Sequence, residues 1–228
     1  MNIFEEKSKR SYNRKAEIYE DTFDGKFTKN YKKKLMAKVS VRDGNSVLDV
    51  ACGNGKFLKM LSKIADIYGF GIDISENMIK CAKKMNPTMN FHVAGCDKVP
   101  FEGETMDIVT VCAAFHHFPD INSFAREMHR VLKKDGVIYI AEVYLPYLFR
   151  VICNPFVKYS RAGDVKFYAP VEIMDCFSKV GFKIDNMSIE GMVQIVSMRK
   201  VSGYSDKLGV KDEKRIYIGR GRLSCYLV

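Results

Sequence analysis

The 228-residue chain contains no internal repeat and no C-x-x-C pair. It also lacks any apolar run near the roughly twenty residues that cross a bilayer. Its opening, MNIFEEKSKRSYNRKAEIYE, is charged throughout and has no apolar centre of the kind a secretion signal needs, so a cytoplasmic protein without a membrane span is expected. Seven cysteines stand at 52, 81, 96, 112, 153, 176 and 225. Their odd number and unpaired spacing exclude a disulfide framework and a zinc knuckle, and they read as reduced, mostly buried thiols. A dinucleotide loop, G-x-G-x-x-G, is incomplete as well. Counted from Gly53 and Gly55, its third small residue would be Leu58.

What the chain has in excess is positive charge, +10 in net. Lys and Arg outnumber Asp and Glu by twelve to seven in residues 1–46, eight to five in 144–200 and six to three in 201–228, against eleven to twelve in 47–143. The surplus therefore sits in the flanks, at Lys32, Lys33 and Lys34 and around Lys214, Arg215, Arg220 and Arg222. A basic patch can bind nucleic acid. No aromatic interleaving or RNA-module motif accompanies it, so a solvated surface is expected, compatible with anionic small substrates or membrane surfaces. Hydrophobic residues, 47% of the whole, suffice for one substantial core.

Ser46 to Phe57 reads SVLDVACGNGKF, a short apolar strand ending in Asp49, a glycine turn and the start of a helix. That arrangement offers backbone N–H groups to a nucleotide-like ligand. A second run, IYGFGID, ends at Asp73, where a carboxylate can accept both hydroxyls of a ribose, and Ser75 and Glu76 then open a helix by capping. FHVAGCDKVPF from Phe91 carries Asp97 just past a third strand, and DIVTVCAAFHHF from Asp107 forms a fourth. Phe124, Met128, Val131 and Leu132 make a helical face that Lys133, Lys134 and Gly136 are expected to close before the strand Gly136–Glu142.

In that order and spacing, D-x-A-x-G-x-G and its three successors resemble the motifs of the class I S-adenosylmethionine-dependent methyltransferases, over roughly two thirds of the chain. Small-molecule enzymes of the ubiquinone and menaquinone C-methylase type are the relatives it suggests. The resemblance implies an α/β, doubly wound Rossmann-like sheet of about seven mostly parallel strands with helices on both faces, and S-adenosyl-L-methionine as cofactor. Asp49 and the loop of Ala51, Cys52 and Gly53 would hold its methionine half, Asp73 its ribose and Asp97 its adenine amino group. Ile74, Met78, Cys96, Lys98 and Cys112 complete the expected cofactor-binding set, Cys112 through its backbone. Tyr12, Ala16 and Tyr19 share a helical face and resemble a Y-x-x-x-A-x-x-Y opening in which Tyr19 closes over the cofactor; ordinary packing of both tyrosines is the alternative.

One domain is expected: an N-terminal helical cap (1–45), the cofactor core (46–143), a substrate lid (144–170), the end of the core (171–200) and a basic tail (201–228). Phe23, Phe27, Tyr31, Leu35 and Val39 form the apolar stripe of the cap. The lid holds seven aromatics among Pro146, Pro155 and Gly163, which make it a poor helix; Tyr144, Tyr147 and Phe149, with Tyr12, are expected to face the substrate. Pro170 starts a helix with Ile173, Met174, Phe177 and Val180 on one face, and two antiparallel strands should follow about Gly191. In the tail, IYIGRGRLSCYLV reads as an added edge strand; Cys225–Val228 meets a C-a-a-X lipidation pattern only superficially, with Tyr226 in an aliphatic place.

Methyl transfer to an activated leaving group needs positioning and sometimes a base. His116 and His117 follow the fourth strand and are the candidates, of which adjacent positions let at most one face the site. His92 and His129 are expected to be structural, and no metal cluster is expected. Cys112 follows Val111 rather than a proline, unlike the nucleophile of cytosine C5 enzymes. The sequence CAAF at 112–115 lacks the polar-Pro-Pro-aromatic pattern of adenine amino methylation. A small, aromatic or apolar acceptor is preferred over nucleic acid; an RNA or protein methyltransferase and a silent cofactor-binding scaffold remain the alternatives.

Overall fold

A computed structural model describes residues 2–201; the expected edge strand at 216–228 and Cys225 lie outside the described residues. Seven strands, β1 (Ser46–Val50), β2 (Tyr68–Asp73), β3 (Asn90–Val93), β4 (Met106–Cys112), β5 (Leu132–Val143), β6 (Phe182–Glu190) and β7 (Val193–Lys200), form one sheet in the order β3-β2-β1-β4-β5-β7-β6. Only β7 runs against its neighbours, pairing Ile140 with Val196 on β5 and Met187 with Val196 on β6. The inner strands are short apolar runs because both of their faces are covered. Helices α2 (Phe23–Met36), α3 (Lys56–Leu61) and α4 (Glu76–Met85) bury Tyr31, Leu35, Phe57, Leu58 and Ile79 against one face. On the other lie α5 (Ile121–Val131) and α7 (Pro170–Ser178), with Phe124, Met128, Ile173 and Phe177 fully buried. Each such side chain contributes about 1.5–3 kcal/mol.

The strand order reverses between β1 and β4, and the crevice beyond their carboxyl ends is where an open α/β sheet receives a ligand. Both ends carry a residue in the left-handed region, Ala51 at φ 56° and Ala113 at φ 52°. Such strain in a residue with a Cβ is held in place by its surroundings and clusters at functional sites.

Helix α1 (Ile3–Lys15) and the 3-10 stretch Ala16–Asp21 lie across α4. Asn13 ties them: its Oδ1 accepts from Ser75 Oγ (2.6 Å) and Asn77 N (3.1 Å), while Ser75 Oγ itself caps Met78 N at 3.1 Å. Glu76 adds an ion pair to Lys9 at 2.5 Å. The cap stripe is buried only in part. Tyr31 and Leu35 are inside, whereas Phe23 is 79% exposed and stacks on Phe27 near the solvent.

Two expectations need correction. Helix α5 ends at Val131 rather than at Lys133–Gly136, because Leu132 already pairs with Met106 and Asp135 turns the chain at φ 61°. The tight turn requires Gly136, whose added Cβ would lie 2.9 Å from the Lys133 carbonyl oxygen. The segment 144–170 is not a poor helix throughout: α6 spans Tyr147–Val157. Pro146 precedes it as the N-cap, and Pro155 stands in its last turn, where the missing N–H forfeits a single bond.

Candidate active site

A cleft of about 750 Å³, mouth included, opens at the carboxyl ends of β1, β2 and β4, within the range of small-molecule sites. Its floor is the loop after β1. Cys52 N donates to the Ile72 carbonyl at 2.9 Å and Gly53 N to Asp73 Oδ2 at 2.9 Å, so the loop is stitched to β2. Asp73 Oδ1 accepts from Ser75 N at 2.8 Å. The carboxylate thus keeps lone-pair capacity for a further donor. Burial raises the Asp73 pKa to about 6, against the three backbone N–H groups that favour the anion. Gly53, at φ 54°, has nothing within 4 Å of where a Cβ would stand, so the loop turns an open concave side to the cleft.

Tyr12 and Tyr19 roof the cleft with ring centroids 6.2 Å apart. Burial pushes the Tyr19 hydroxyl up to about 12 and that of Tyr12 well above its ordinary value, so both stay protonated. Opposite the loop stands His117. Its Nε2 is 3.1 Å from Tyr12 Oη and its Nδ1 is 3.0 Å from Asp164 Oδ1, the latter contact too oblique for an aligned hydrogen bond. Asp164 is raised by its burial but brought down further by the His117 bond and charge, to about 2. An ionised carboxylate only accepts, so its charge favours the proton on Nδ1 and the Nε2 lone pair for the Tyr12 hydroxyl. Burial first, and then the neighbouring His116, depress the His117 pKa and keep the ring neutral.

His116 turns the other way. Its Nδ1 meets Glu142 Oε1 at 2.7 Å, and its backbone N–H donates to Glu142 Oε2 at 3.2 Å. Burial lowers the His116 pKa, the Glu142 charge and hydrogen bond more than offset this, and the net direction is up. Glu142 is fully buried, yet its own pKa falls because the imidazolium lies beside it. Backbone bonds from Val165 N (2.8 Å) and Lys166 N (3.3 Å) to the His116 carbonyl fasten the lid segment to this strand end.

Residues 48–140 match the family described as a methyltransferase domain. A demethylmenaquinone methyltransferase from Chlorobaculum parvum is 30% identical over 171 residues, which cover 74% of this chain and 68% of that protein. The chain belongs to the class I S-adenosylmethionine-dependent methyltransferases. A demethylmenaquinone methyltransferase from Staphylococcus aureus is 34% identical over 148 residues, 63% of this methyltransferase and 59% of that one. In fold, it matches geranyl diphosphate C-methyltransferase from Streptomyces coelicolor A3(2), solved with Mg2+, geranyl-S-thiolodiphosphate and S-adenosyl-L-homocysteine. The TM-score is 0.70 at 11% identity, over 88% of this chain and 99% of that one, a likeness that speaks to fold alone.

Of the expected cofactor residues, the methyltransferase brings Tyr19, Ala51, Gly53, Asp73, Ile74 and Met78 to the cleft wall, with Cys96 and Cys112. Burial pushes the Cys112 thiol far up, which leaves no thiolate nucleophile. Asp49 and Cys52 stand behind the wall. Asp49 accepts from Thr110 Oγ1 at 2.7 Å and is raised by burial to about 7, and the Cys52 side chain backs onto Gly71 and Phe91. Asp97 and Lys98 are exposed; Asp97 lines a shallow depression next to the cleft with Asn2, Glu5 and Asp120. Of the four lid aromatics only Tyr12 reaches the cleft. Tyr147 and Phe149 are 69% and 63% exposed on the outside of α6, and Tyr144 is tied by its backbone to Met192. Tyr147 and Phe149 miss because α6 turns Asn154 and Val157 inward.

Sequence reasoning missed Glu142, Asp164, Glu5 and Ser8. An acid at the end of β5 was legible as a candidate partner for a histidine after β4; Asp164 sits in an irregular stretch and carries no such signal. His116, His117 and Asp164 also bring one donor atom each within 4.8 Å of one another, a grouping that the expectation of no metal cluster did not foresee. A cation there would meet His116 at Nε2, leaving the Nδ1 proton with Glu142, and would displace the proton from His117 Nδ1.

Proposed function

We propose that this methyltransferase transfers the methyl group of S-adenosylmethionine to a carbon of a small, apolar hydroxyaromatic acceptor, of the kind a reduced demethylmenaquinone presents. One observation carries the proposal: a neutral His117 at the cleft wall with its Nε2 against the Tyr12 hydroxyl, opposite the Gly53 loop and Asp73. The open side of Gly53 and the remaining acceptor capacity of Asp73 suit a ribose with its methionine tail, and Ile74, Met78 and Cys96 suit an adenine. The cofactor supplies a methyl group on a positively charged sulfur. With the acceptor hydroxyl in the place of Tyr12 Oη, His117 Nε2 takes its proton, aided by the Asp164 charge. The ring carbon made nucleophilic by that loss forms the new C–C bond as the S–CH3 bond breaks, the electron pair staying on sulfur to leave S-adenosylhomocysteine. The ring proton at that carbon passes to solvent, His117 returns its proton to the oxygen, and aromaticity is restored. The names of the two bacterial relatives support the acceptor class, and an acid–base pair in the same cleft argues against a silent scaffold.

The test is mass-spectrometric detection of a methylated product from S-adenosylmethionine and a reduced naphthoquinone lacking its ring methyl group. Product should form with chelator present, and S-adenosylhomocysteine but not NAD should raise the melting temperature, since Leu58 denies a pyrophosphate its small third residue. Stabilisation by NAD alone would remove the cofactor reading. Turnover by His117→Ala at the wild-type rate would remove the base.

A further inference from the structure

Helix α6 is built inside out. Tyr147, Leu148, Phe149, Val151, Ile152 and Phe156 are each between 53% and 72% exposed. At about 100° per residue they cover roughly 200° of the helix surface without a polar residue among them. Asn154 points inward, its Nδ2 donating to the Phe167 carbonyl (3.1 Å) and its Oδ1 accepting from Phe167 N (2.9 Å), while Arg150 Nη1 donates to the Leu145 carbonyl (2.9 Å) just before the helix. Val157 is the one buried residue of the helix. Patches of this extent on a protein surface mark contact with something other than water.

We infer that the outer face of α6 seats in the surface of an anionic lipid bilayer, with the helix lying in the interface plane. Charge chooses this occupant. From residue 143 to 163 the chain has no Asp or Glu, while Arg150, Lys158 and Arg161 give it three positive charges, and Lys7 Nζ comes within 3.4 Å of the Lys158 carbonyl. Lys158 and Arg161 are exposed next to the apolar face. A second copy would bring the same basic group against itself across a two-fold axis, whereas anionic headgroups neutralise it. Tyr147 at the start and Tyr159 just past the end are 69% and 72% exposed, amphipathic rings suited to headgroup depth on either side of the aliphatic centre. The same segment continues to Asp164 beside His117, so on the proposed function the bilayer lies next to the mouth through which an apolar acceptor enters.

The full chain has no tryptophan, so Tyr147→Trp supplies a single reporter. Its emission should shift to the blue with vesicles of phosphatidylcholine plus phosphatidylglycerol, weakly with phosphatidylcholine alone, and less as salt rises. In cosedimentation, Ile152→Ser with Phe156→Ser should weaken binding to the anionic vesicles by more than about tenfold. Lys158→Glu with Arg161→Glu should abolish the preference for anionic lipid. Both pairs should keep the wild-type melting temperature and affinity for S-adenosylhomocysteine. Equal binding by wild type and the serine pair, or no binding to either vesicle, would overturn the inference. So would a concentration-dependent dimer that the serine pair dissolves, which would make a second copy the occupant. Neither readout involves methyl transfer, so failure here leaves the proposed function standing.

Discussion

Asp164→Asn separates the proton reading of the site from simple packing. The carboxylate lies 3.0 Å from His117 Nδ1 with its side chain 17% exposed, so solvent screens the pair little. Its pKa falls from 3.8 to about 2: burial opposes the charge, and the His117 bond and charge outweigh burial. Because the folded value is depressed, the associated stability is present above the unfolded pKa and is lost as pH falls through about 2. At about 1.4 kcal/mol per pH unit the whole shift is on the order of 2 kcal/mol, and because the His117 charge is absent at neutral pH the ionised group contributes less than that at pH 7. The amide keeps the shape and removes that contribution, so the variant should melt at most a few degrees below wild type at pH 7. Its larger effect should be kinetic. Without the fixed anion the His117 proton is free to sit on either nitrogen and the base weakens, which should lower the single-turnover rate about 10²–10³-fold and move the acid limb of the pH profile to lower pH. Rates within threefold of wild type and an unmoved acid limb would refute the base assignment, whatever the melting temperature does.

Asp73→Ala removes the acceptor of both Gly53 N and Ser75 N, so the variant should lose about 2–4 kcal/mol of stability along with more than tenfold in S-adenosylhomocysteine affinity by calorimetric titration. Unchanged affinity would locate the ribose elsewhere. Asp49 has its folded pKa raised by burial to about 7, so the stability it allows is present below the unfolded value and lost as pH rises through about 7. Asp49→Asn, which keeps an acceptor for Thr110 Oγ1, should melt higher than wild type at pH 8 and not at pH 4; an equal difference at both would show that the carboxyl charge is not the cause. Tyr12 and Tyr19 roof the cleft on α1 and the 3-10 stretch, so hydrogen exchange across residues 3–21 should slow when S-adenosylhomocysteine binds. Unchanged protection there would make the roof static packing.

Local chemistry made much of this methyltransferase legible in its sequence. Strands were readable because buried parallel strands are unbroken apolar runs, and the Gly53 loop because only its residue types turn there; Ser75 announced α4 because a hydroxyl before a helix satisfies a free backbone N–H. The placement of Asp73 on the cleft wall follows from the same local signals. Contacts between distant positions carry no such mark. Tyr12 and His117 are separated by 105 positions, and the Asp164 contact depends on a lid segment fastened to the His116 carbonyl. Neighbouring histidines look equivalent in sequence, and the buried Glu142 decided between them by claiming His116. Tertiary structure also inverted the lid. Its aromatics read as substrate-facing because apolar side chains ordinarily point inward, but Asn154 found both of its partners on the backbone of Phe167 beneath α6. Satisfying that half-buried amide favours the rotation of the helix that turns Tyr147 and Phe149 outward.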